Sequence, residues 1–163
     1  MGLTGYVNVP DIKGESYFAD HEDEIDFYNI QWQVRQPAVA QQGHGRAMTR
    51  AEVGEVFIYT NYSAADPYIA LSCMRGTPFN EITYMIRKDS GDAHIDYLQI
   101  TLTDAIISLY EVLGAPEDIE KGQQVQVKWG AAGKTIKFKY IVQEEDGSAG
   151  DEHEIEHDIA AGK

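Results

Sequence analysis

The run IKGESYFADHEDEIDFYNIQWQV, residues 12–34, passes from a turn through an acidic loop into a strand. Gly14, Glu15 and Ser16 make the turn, and Asp20, Glu22, Asp23 and Glu24 surround His21 in the loop. Apolar and polar residues then alternate, as a strand with one buried face requires. The alternation changes phase part-way. Ile25 and Phe27 set one phase; Ile30, Trp32 and Val34 set the other. A side-chain period of two allows such a change if one residue is added. The spacing therefore predicts a bulge near Tyr28–Asn29 that re-aims the side chains without ending the strand. Beyond it Asn29, Gln31 and Gln33 fall on the face turned from the core. This row of neutral amides suits a wall facing water or a passing partner.

The flanking chain also reads mostly as strand. Residues 5–12 give a short first strand with Val7 and Val9 on one face. Pro37 opens a loop over 37–52, PAVAQQGHGRAMTRAE. Connections beyond about 12–15 residues are usually functional or disordered. Gly43, Gly45, Arg46 and Arg50 offer no packing pattern, so this loop reads as a protruding arm that gains order from a partner. Residues 53–61 return to strand. Asp66-Pro67 then starts a helix, with Asp66 as N-cap and Pro67 at the first helical position. The helix runs to Arg75; Gly76 suits its C-cap and Pro78 blocks continuation. Ile69, Ala70, Cys73 and Met74 share one of its faces at helical spacing.

After the helix, Ile82, Tyr84 and Ile86 alternate with Glu81, Thr83 and Met85. Asp89-Ser90-Gly91-Asp92 is a hairpin turn. Residues 93–102 pair back, with Leu98, Ile100 and Leu102 on one face. Residues 105–112 read as a further strand, although their apolar spacing also fits a helix. Residues 115–118 form a loop. Val125, Val127 and Trp129 alternate, Gly130-Ala131-Ala132-Gly133 turns the chain, and Ile136, Phe138, Tyr140 and Val142 alternate again. A flexible turn at 147–150 leads to a weak final strand. The expected fold is mainly β: a small barrel of about 8–9 mostly antiparallel strands, one short helix at about 66–75 and a protruding loop at about 37–52. With 163 residues, one domain spans 1–163.

The net charge is −14, against 25% charged and 43% hydrophobic residues. Its placement says more than its size. Residues 15–26 carry Glu15, Asp20, Glu22, Asp23, Glu24 and Asp26 with no Lys or Arg. Residues 144–158 carry Glu144, Glu145, Asp146, Asp151, Glu152, Glu154, Glu156 and Asp158, again with no Lys or Arg. These two patches account for the whole net charge. A phosphate backbone needs a basic face, so nucleic acid is excluded as a partner. The patches serve solubility or pair with basic surface on another subunit. No run reaches the roughly 18 apolar residues of a membrane span, so no membrane insertion is expected. MGLTGYVNVP lacks a signal-peptide pattern, so export would use another route. Cys73 is the only cysteine.

The motifs that carry chemistry fail on inspection. Gly133-Lys134-Thr135 resembles the end of a phosphate loop, but the position five residues before Gly133 is Lys128, and a strand follows. His153 and His157, with Glu154 and Glu156 beside them, would suit zinc on a helix; the segment reads as a strand and a solvated acidic edge. His21 among acids is a formal general base, but Gly14-Glu15-Ser16 is no nucleophile elbow. A loop histidine with local hydrogen bonds is the reading taken. Trp32 and Trp129 read as core aromatics. No catalytic, cofactor or metal residues are assigned, and no enzyme activity is expected.

Four blocks in order carry a family resemblance. They are Ile12-Lys13-Gly14-Glu15-Ser16 with His21 and Glu24-Ile25-Asp26; the helix from Ser63-Ala64-Ala65-Asp66-Pro67 through Cys73 to Gly76; Arg87-Lys88 with Asp96-Tyr97-Leu98-Gln99-Ile100-Thr101-Leu102; and Tyr140, Gln143 and Asp146-Gly147-Ser148-Ala149-Gly150. Together they resemble the haemolysin-coregulated protein (Hcp) family, the tube subunits of bacterial type VI secretion. The chain departs from the family pattern at Val127-Lys128-Trp129, at Gly130–Gly133 and at Glu156-His157.

The resemblance implies a small β-barrel with one helix, six copies to a ring, and rings stacked into a tube. A contractile sheath would propel that tube, tipped by a spike, with effector proteins in its lumen. The protein would be cytoplasmic before firing and then leave through the machine. On this reading Asn29, Gln31 and Gln33 face the lumen and cargo. Gln42, His44, Arg46 and Arg50 on the arm meet Glu22 and Asp23 across the ring–ring contact. The alternative is a monomeric β-barrel that binds a small ligand or a protein partner.

Overall fold

Alternation and its breaks set the element order. The structure is a computed structural model that describes residues 3–37, 51–90, 93–114 and 125–162. Within them lie β1 (Thr4–Asn8), β2 (Ile25–Phe27), β3 (Asn29–Gln31), β4 (Val34–Arg35), β5 (Glu52–Val53), β6 (Val56–Asn61), β7 (Pro78–Ser90), β8 (Ala93–Gly114), β9 (Gln126–Ala132), β10 (Thr135–Gln143) and β11 (Ala149–Asp158). The helix is α1 (Asp66–Arg75), and one 3-10 turn covers Ala19–His21. All the strand pairings are antiparallel. Nine strands form one sheet with the path β2-β1-β7-β8-β9-β6-β3, and β10 and β11 are added beside β8.

β2 and β3 end that path, yet only Tyr28 separates them. β2 pairs with β1, through Val7–Ile25 and Gly5–Phe27. β3 pairs with β6, through Asn29–Tyr59 and Gln31–Phe57. The Tyr28 N–H donates to the Tyr59 carbonyl at 3.1 Å. One kinked segment therefore borders both edges, and the sheet curls round to itself. The phase change at Tyr28–Asn29 is real, but its cause differs from the expected bulge. The strand ends there because the chain exchanges one ladder for another. Ile25 and Phe27 are buried, Ile30 and Trp32 half-buried, and Val34 is 51% exposed. Val34 fails as a core residue because it has left the barrel for the β4–β5 ribbon, which closes the base of the arm. The rest of the expected arm, residues 38–50, lies outside the described residues, as do residues 115–118.

The interior is packed by alternate residues of every wall. Val7, Ile25, Phe27, Val56, Ile58, Ile82, Tyr84, Ile86, Ile100, Leu102, Ile107, Val127, Trp129 and Ile136 are all buried. Full burial of such a side chain stabilises the fold by about 1.5–3 kcal/mol. Trp129 is core, as expected; Trp32 is half-buried with its ring 4.7 Å from that of Phe138. Val125 precedes β9 and is 38% exposed rather than continuing its buried face.

β8 joins what the sequence reads as two strands. It runs for 22 residues with a positive φ of 47° at Asp104. Ile100 and Leu102 are buried before it, and Ala105 and Ile107 after it. That shift in parity looks like a strand boundary in sequence. Along one flank β8 changes partner there, from β10 (residues 98–103) to β9 (residues 106–114). β9 and β10 follow β8 in succession and do not pair with each other, so Gly130, Ala131 and Ala132 are strand rather than turn. The chain is displaced only at Gly133–Lys134, where the Lys134 N–H donates to the Thr103 carbonyl at 2.8 Å.

α1 matches the expected span, with two corrections. The cap residue is Ala65, and Asp66 is the first helical residue. The Asp66 carboxylate reaches back to accept from the Ser63 N–H at 2.7 Å and across to accept from the Tyr110 hydroxyl at 3.0 Å. The buried face is Ala65, Asp66, Ile69 and Ser72, with Ala70 and Cys73 half-buried; Met74 is 81% exposed. Ile69 with Ser72 and Cys73 already fills the stripe, so Met74 turns outward. Gly76 ends the helix at φ 62°, where a side chain would be strained, and the Thr77 N–H closes the turn on the Ser72 carbonyl.

The last strand is stronger than expected. β11 pairs with β10 along most of its length, and Lys137 and Lys139 bind Glu154 and Glu152 at 2.8 and 3.5 Å. His153 and His157 share a face but stand about 13 Å apart at strand rise, too far to share a metal ion. Acidic side chains along this edge discourage stray strand pairing.

Two changes test this architecture. A Cβ on Gly14 would overlap the Glu24 carbonyl, so Gly14→Ala is expected to lower stability by about 1–3 kcal/mol in chemical denaturation. A loss under about 0.3 kcal/mol would show that the crossing can shift freely. Burial raises the Asp66 carboxyl above its ordinary 3.8 despite its hydrogen bonds from Ser63 and Tyr110. A raised folded value means the ionised form costs stability, and the cost fades as pH falls through that value. Wild type should therefore gain on Asp66→Asn as pH falls from 7 towards 4. A constant difference would contradict the shift.

Candidate functional site

Two surfaces bring together residues of functional interest. The first lies on the outside of β3, β6 and β9. Val56, Ile58 and Thr60 point inward on β6, so Phe57 and Tyr59 point outward. They stand opposite Gln31 and Asn29 on β3, and opposite Gly130 and Lys128 on β9. Asn29, Gln31 and Gln33 are all exposed, on the face expected of them. The Tyr59 hydroxyl donates to Gln31 Oε1 at 3.3 Å. Lys128 Nζ stands 4.6 Å from the Phe57 ring centre and 5.8 Å from that of Tyr59. Cation–π contact holds this lysine against the wall rather than projecting into water. Phe57, Tyr59 and Lys128 belong to the same patch as the amide row. Outward aromatics within a strongly alternating strand were the signal for them.

The second surface is the acidic loop, which lies as a strap over the outer face of β1. Three backbone hydrogen bonds fold it on itself: Gly14 N–H to the Asp23 carbonyl, Ser16 N–H to that of Glu24, and Asp23 N–H to that of Ser16, at 2.7, 3.1 and 3.2 Å. The strap buries Tyr6, whose ring His21 covers in a parallel stack at 4.1 Å. Glu22 and Asp23 are exposed on it, with Asp23 at φ 63°. The arm residues expected to meet them, Gln42, His44, Arg46 and Arg50, lie outside the described residues.

His21 is the main correction here. It is only 1% exposed, and its contacts are not merely local. Nδ1 faces Glu24 Oε2 at 3.0 Å, while Nε2 faces Asp96 Oδ2 at 2.8 Å, a residue 75 positions away. The other Asp96 oxygen accepts from Arg87 Nε at 3.3 Å. Arg87, itself buried, also reaches Asp20 at 3.6 Å and lies 5.4 Å from the Tyr6 ring centre. Burial pushes the Glu24 carboxyl above its ordinary range, against the opposing pull of His21. Both imidazole nitrogens are engaged by carboxylates and the ring is closed off from solvent. A general base needs one free nitrogen within reach of a substrate proton. This ring offers none, and the arrangement serves as an internal hydrogen-bonded cluster that ties the loop to Asp96 on β8. Arg87 and Asp96 are cross-strand partners on β7 and β8; a turn over 89–92 would have set Arg87 opposite residue 94, so the expected hairpin did not pair them.

Among the described residues no helix is long and apolar enough to cross a membrane, and no cluster of His, Cys, Asp and Glu has the form of a metal site.

Comparison with known proteins places the chain. The profile of the family described as "Type VI secretion system effector, Hcp" matches residues 6–142. The protein hcp1 of Pseudomonas aeruginosa is 23% identical over 148 residues, which cover 91% of this chain and 89% of that protein. A solved structure of a type six secretion system protein superposes with a TM-score of 0.88 at 19% identity, covering 99% of this chain and 98% of the other. Hcp1 from Salmonella typhimurium superposes with a TM-score of 0.79 at 22% identity, covering 100% of this chain and 99% of the other. At these identities the superpositions establish the fold, and the family match extends over nearly the whole barrel. The chain belongs to the Hcp family of type VI secretion proteins.

Proposed function

We propose that this protein is a tube subunit whose six-membered rings stack into the inner conduit of a type VI machine. The family match over residues 6–142 carries the reading. In it, a sheath propels the tube behind a spike protein, effector proteins travel in the lumen, and the chain passes from cytoplasm to exterior by that route. A cyclic ring is built from heterologous contacts, and a surface of that kind extends readily into a stack. The exposed row Asn29, Gln31 and Gln33 would face the lumen with Tyr59 and Lys128 beside it. A mostly neutral, amide-lined wall lets varied cargo pass without a strong charge trap. Gln42, His44, Arg46 and Arg50 would meet Glu22 and Asp23 of the next ring by opposite charge. The work is mechanical, and no cofactor is assigned to it. The alternative monomeric ligand-binding barrel needs an internal cavity, whereas Tyr84, Trp129, Ile58 and Leu102 occupy the interior.

Light scattering and electron micrographs of one chromatographic peak test the architecture. Six copies of the 18.2 kDa chain, about 109 kDa, should appear as annular particles. A monomer at every concentration would overturn ring formation in the isolated protein. Deleting residues 40–50 should leave the barrel folded and abolish tubes; unimpaired tubes would remove the arm from the contact. Gln31→Arg should spare rings and reduce cargo retention, and normal cargo export would remove the amide row from the lumen.

A further inference from the structure

Large apolar side chains scattered singly over a surface need no explanation, but here two sets of them are gathered. The first stands on and beside the strap. Tyr17, Phe18 and Tyr62 are 95%, 53% and 50% exposed. With Glu15, Asp26 and Tyr28 they line an open cleft of about 560 Å³ between the strap, β2 and the end of β6. The second lies on α1, where Tyr68, Leu71 and Met74 are 62%, 40% and 81% exposed. With exposed Arg75 they fall within about a third of the helix circumference, so they form one stripe ending in a cation. We propose that the α1 stripe of one copy docks in the cleft of a second copy, with the Arg75 guanidinium seated between the aromatic walls and the carboxylates of Glu15 and Asp26. This contact rests on the ring formation proposed above and gives the ring its side-to-side surface.

Charge complementarity selects this occupant. Among the described residues neither Glu15 nor Asp26 pairs with a Lys or Arg, and Arg75 pairs with no carboxylate. Arg87 is taken up by Asp20 and Asp96. Burial pushes the Asp26 carboxyl above its ordinary range, and the Glu15 charge adds to the rise, so an incoming cation is favoured there. The walls suit a guanidinium in particular, because its plane stacks on aromatic faces while its N–H groups reach a carboxylate. The strap already holds one guanidinium in this way: that of Arg87 lies 5.6 Å from the Phe18 ring centre and 3.6 Å from Asp20. The two features stand at opposite ends of α1. Ser63 borders the cleft just before the helix starts at Asp66, whereas Arg75 closes it about 14 Å further along the axis. Two unlike patches so placed make a head-to-tail contact, which repeats from copy to copy instead of stopping at two. A symmetric contact between two α1 stripes would leave Tyr17, Glu15 and Asp26 uncovered.

Sedimentation velocity of the full-length protein over a dilution series tests the contact. Arg75→Glu and Glu15→Arg should each move the association midpoint at least about tenfold to higher concentration. Both positions are exposed, so the exchange leaves the core untouched. The two changes in one chain should recover at least about half of the loss on a logarithmic scale, because the charges are swapped and not removed. Tyr17→Ser should weaken association by a similar factor and leave denaturation of the dissociated chain unchanged, since a side chain 95% exposed has little to lose in folding. Wild-type association in Arg75→Glu or in Glu15→Arg would overturn the contact and leave ring formation standing, as would losses that simply add in the double variant. A discrete dimer untouched by Glu15→Arg would mean that two stripes pack on each other, and would equally overturn it. A wild type that stays monomeric at every concentration would overturn both the contact and ring formation in the isolated protein.

Discussion

A sheet laid out as a path of strands has two edges, and each edge carries unpaired backbone donors and acceptors that invite stray pairing. Here the segment Ile25–Gln31 occupies both ends of the main path, with β2 on β1 and β3 on β6. The change of partner takes place over Tyr28 alone, and its N–H is spent on Tyr59 across the join. The rest of the molecule depends on this join. It fixes which residues of the segment face inward, so Ile25 and Phe27 enter the core and Asn29 and Gln31 are left outside. It also leaves β11 as the long strand with an open side, where acidic residues alternate along the edge.

Charge follows the same division between wall and surface. The two acidic segments carry the whole net charge of −14, yet neither is simply solvated. Where the first meets the barrel, Arg87 faces Asp20 and Asp96, and the buried His21 ring bridges Glu24 and Asp96. Where the second pairs with β10, Lys137 and Lys139 stand on the facing strand. These exposed pairs guide register more than they add stability. The buried cluster differs in kind, because removing one partner would leave a charge in a poorly solvated place. It ties a surface loop to a definite position rather than stabilising the core.

The legible parts of the sequence were those governed by short-range rules. The helix ends at Asp66 and Gly76 and the alternation of Ile82, Tyr84 and Ile86 depend on neighbours a few positions away, whereas the expected turn at 89–92 began too early, since β7 pairs on through Ser90. Partner exchange depends on the whole sheet. The phase shifts at Tyr28 and Asp104 therefore looked like a bulge and a strand boundary, when the first is a change of ladder between two strands and the second a change of flank partner within the continuous β8. Ala131 and Ala132 were hidden for the opposite reason: flanking glycines made a buried strand look like a turn. His21 was visible as a hydrogen-bonded residue, but its partner Asp96 comes from another element 75 positions on. The outward face of Asn29, Gln31 and Gln33 was legible because period-two alternation fixes it, whereas Phe57 and Tyr59 joined it only through the β3–β6 register.

A filled barrel leaves its function to its outer faces, and here the outer faces are of two kinds. The β3–β6–β9 patch is built on regular strands, so neighbouring residues hold its side chains at fixed spacing. It changes little unless the sheet itself unfolds. The strap over β1 is held outside the core, by its own backbone bonds, by the contacts of His21 and Asp20 with β8 and β7, and by ring contacts with Tyr6. Local opening of such a strap costs less than global unfolding because few buried apolar contacts are lost with it. A wall fixed by the sheet and a strap anchored outside the core are two separate properties. Placing them on separate elements, joined by β1 and the Ile25–Gln31 segment, lets each vary without disturbing the other.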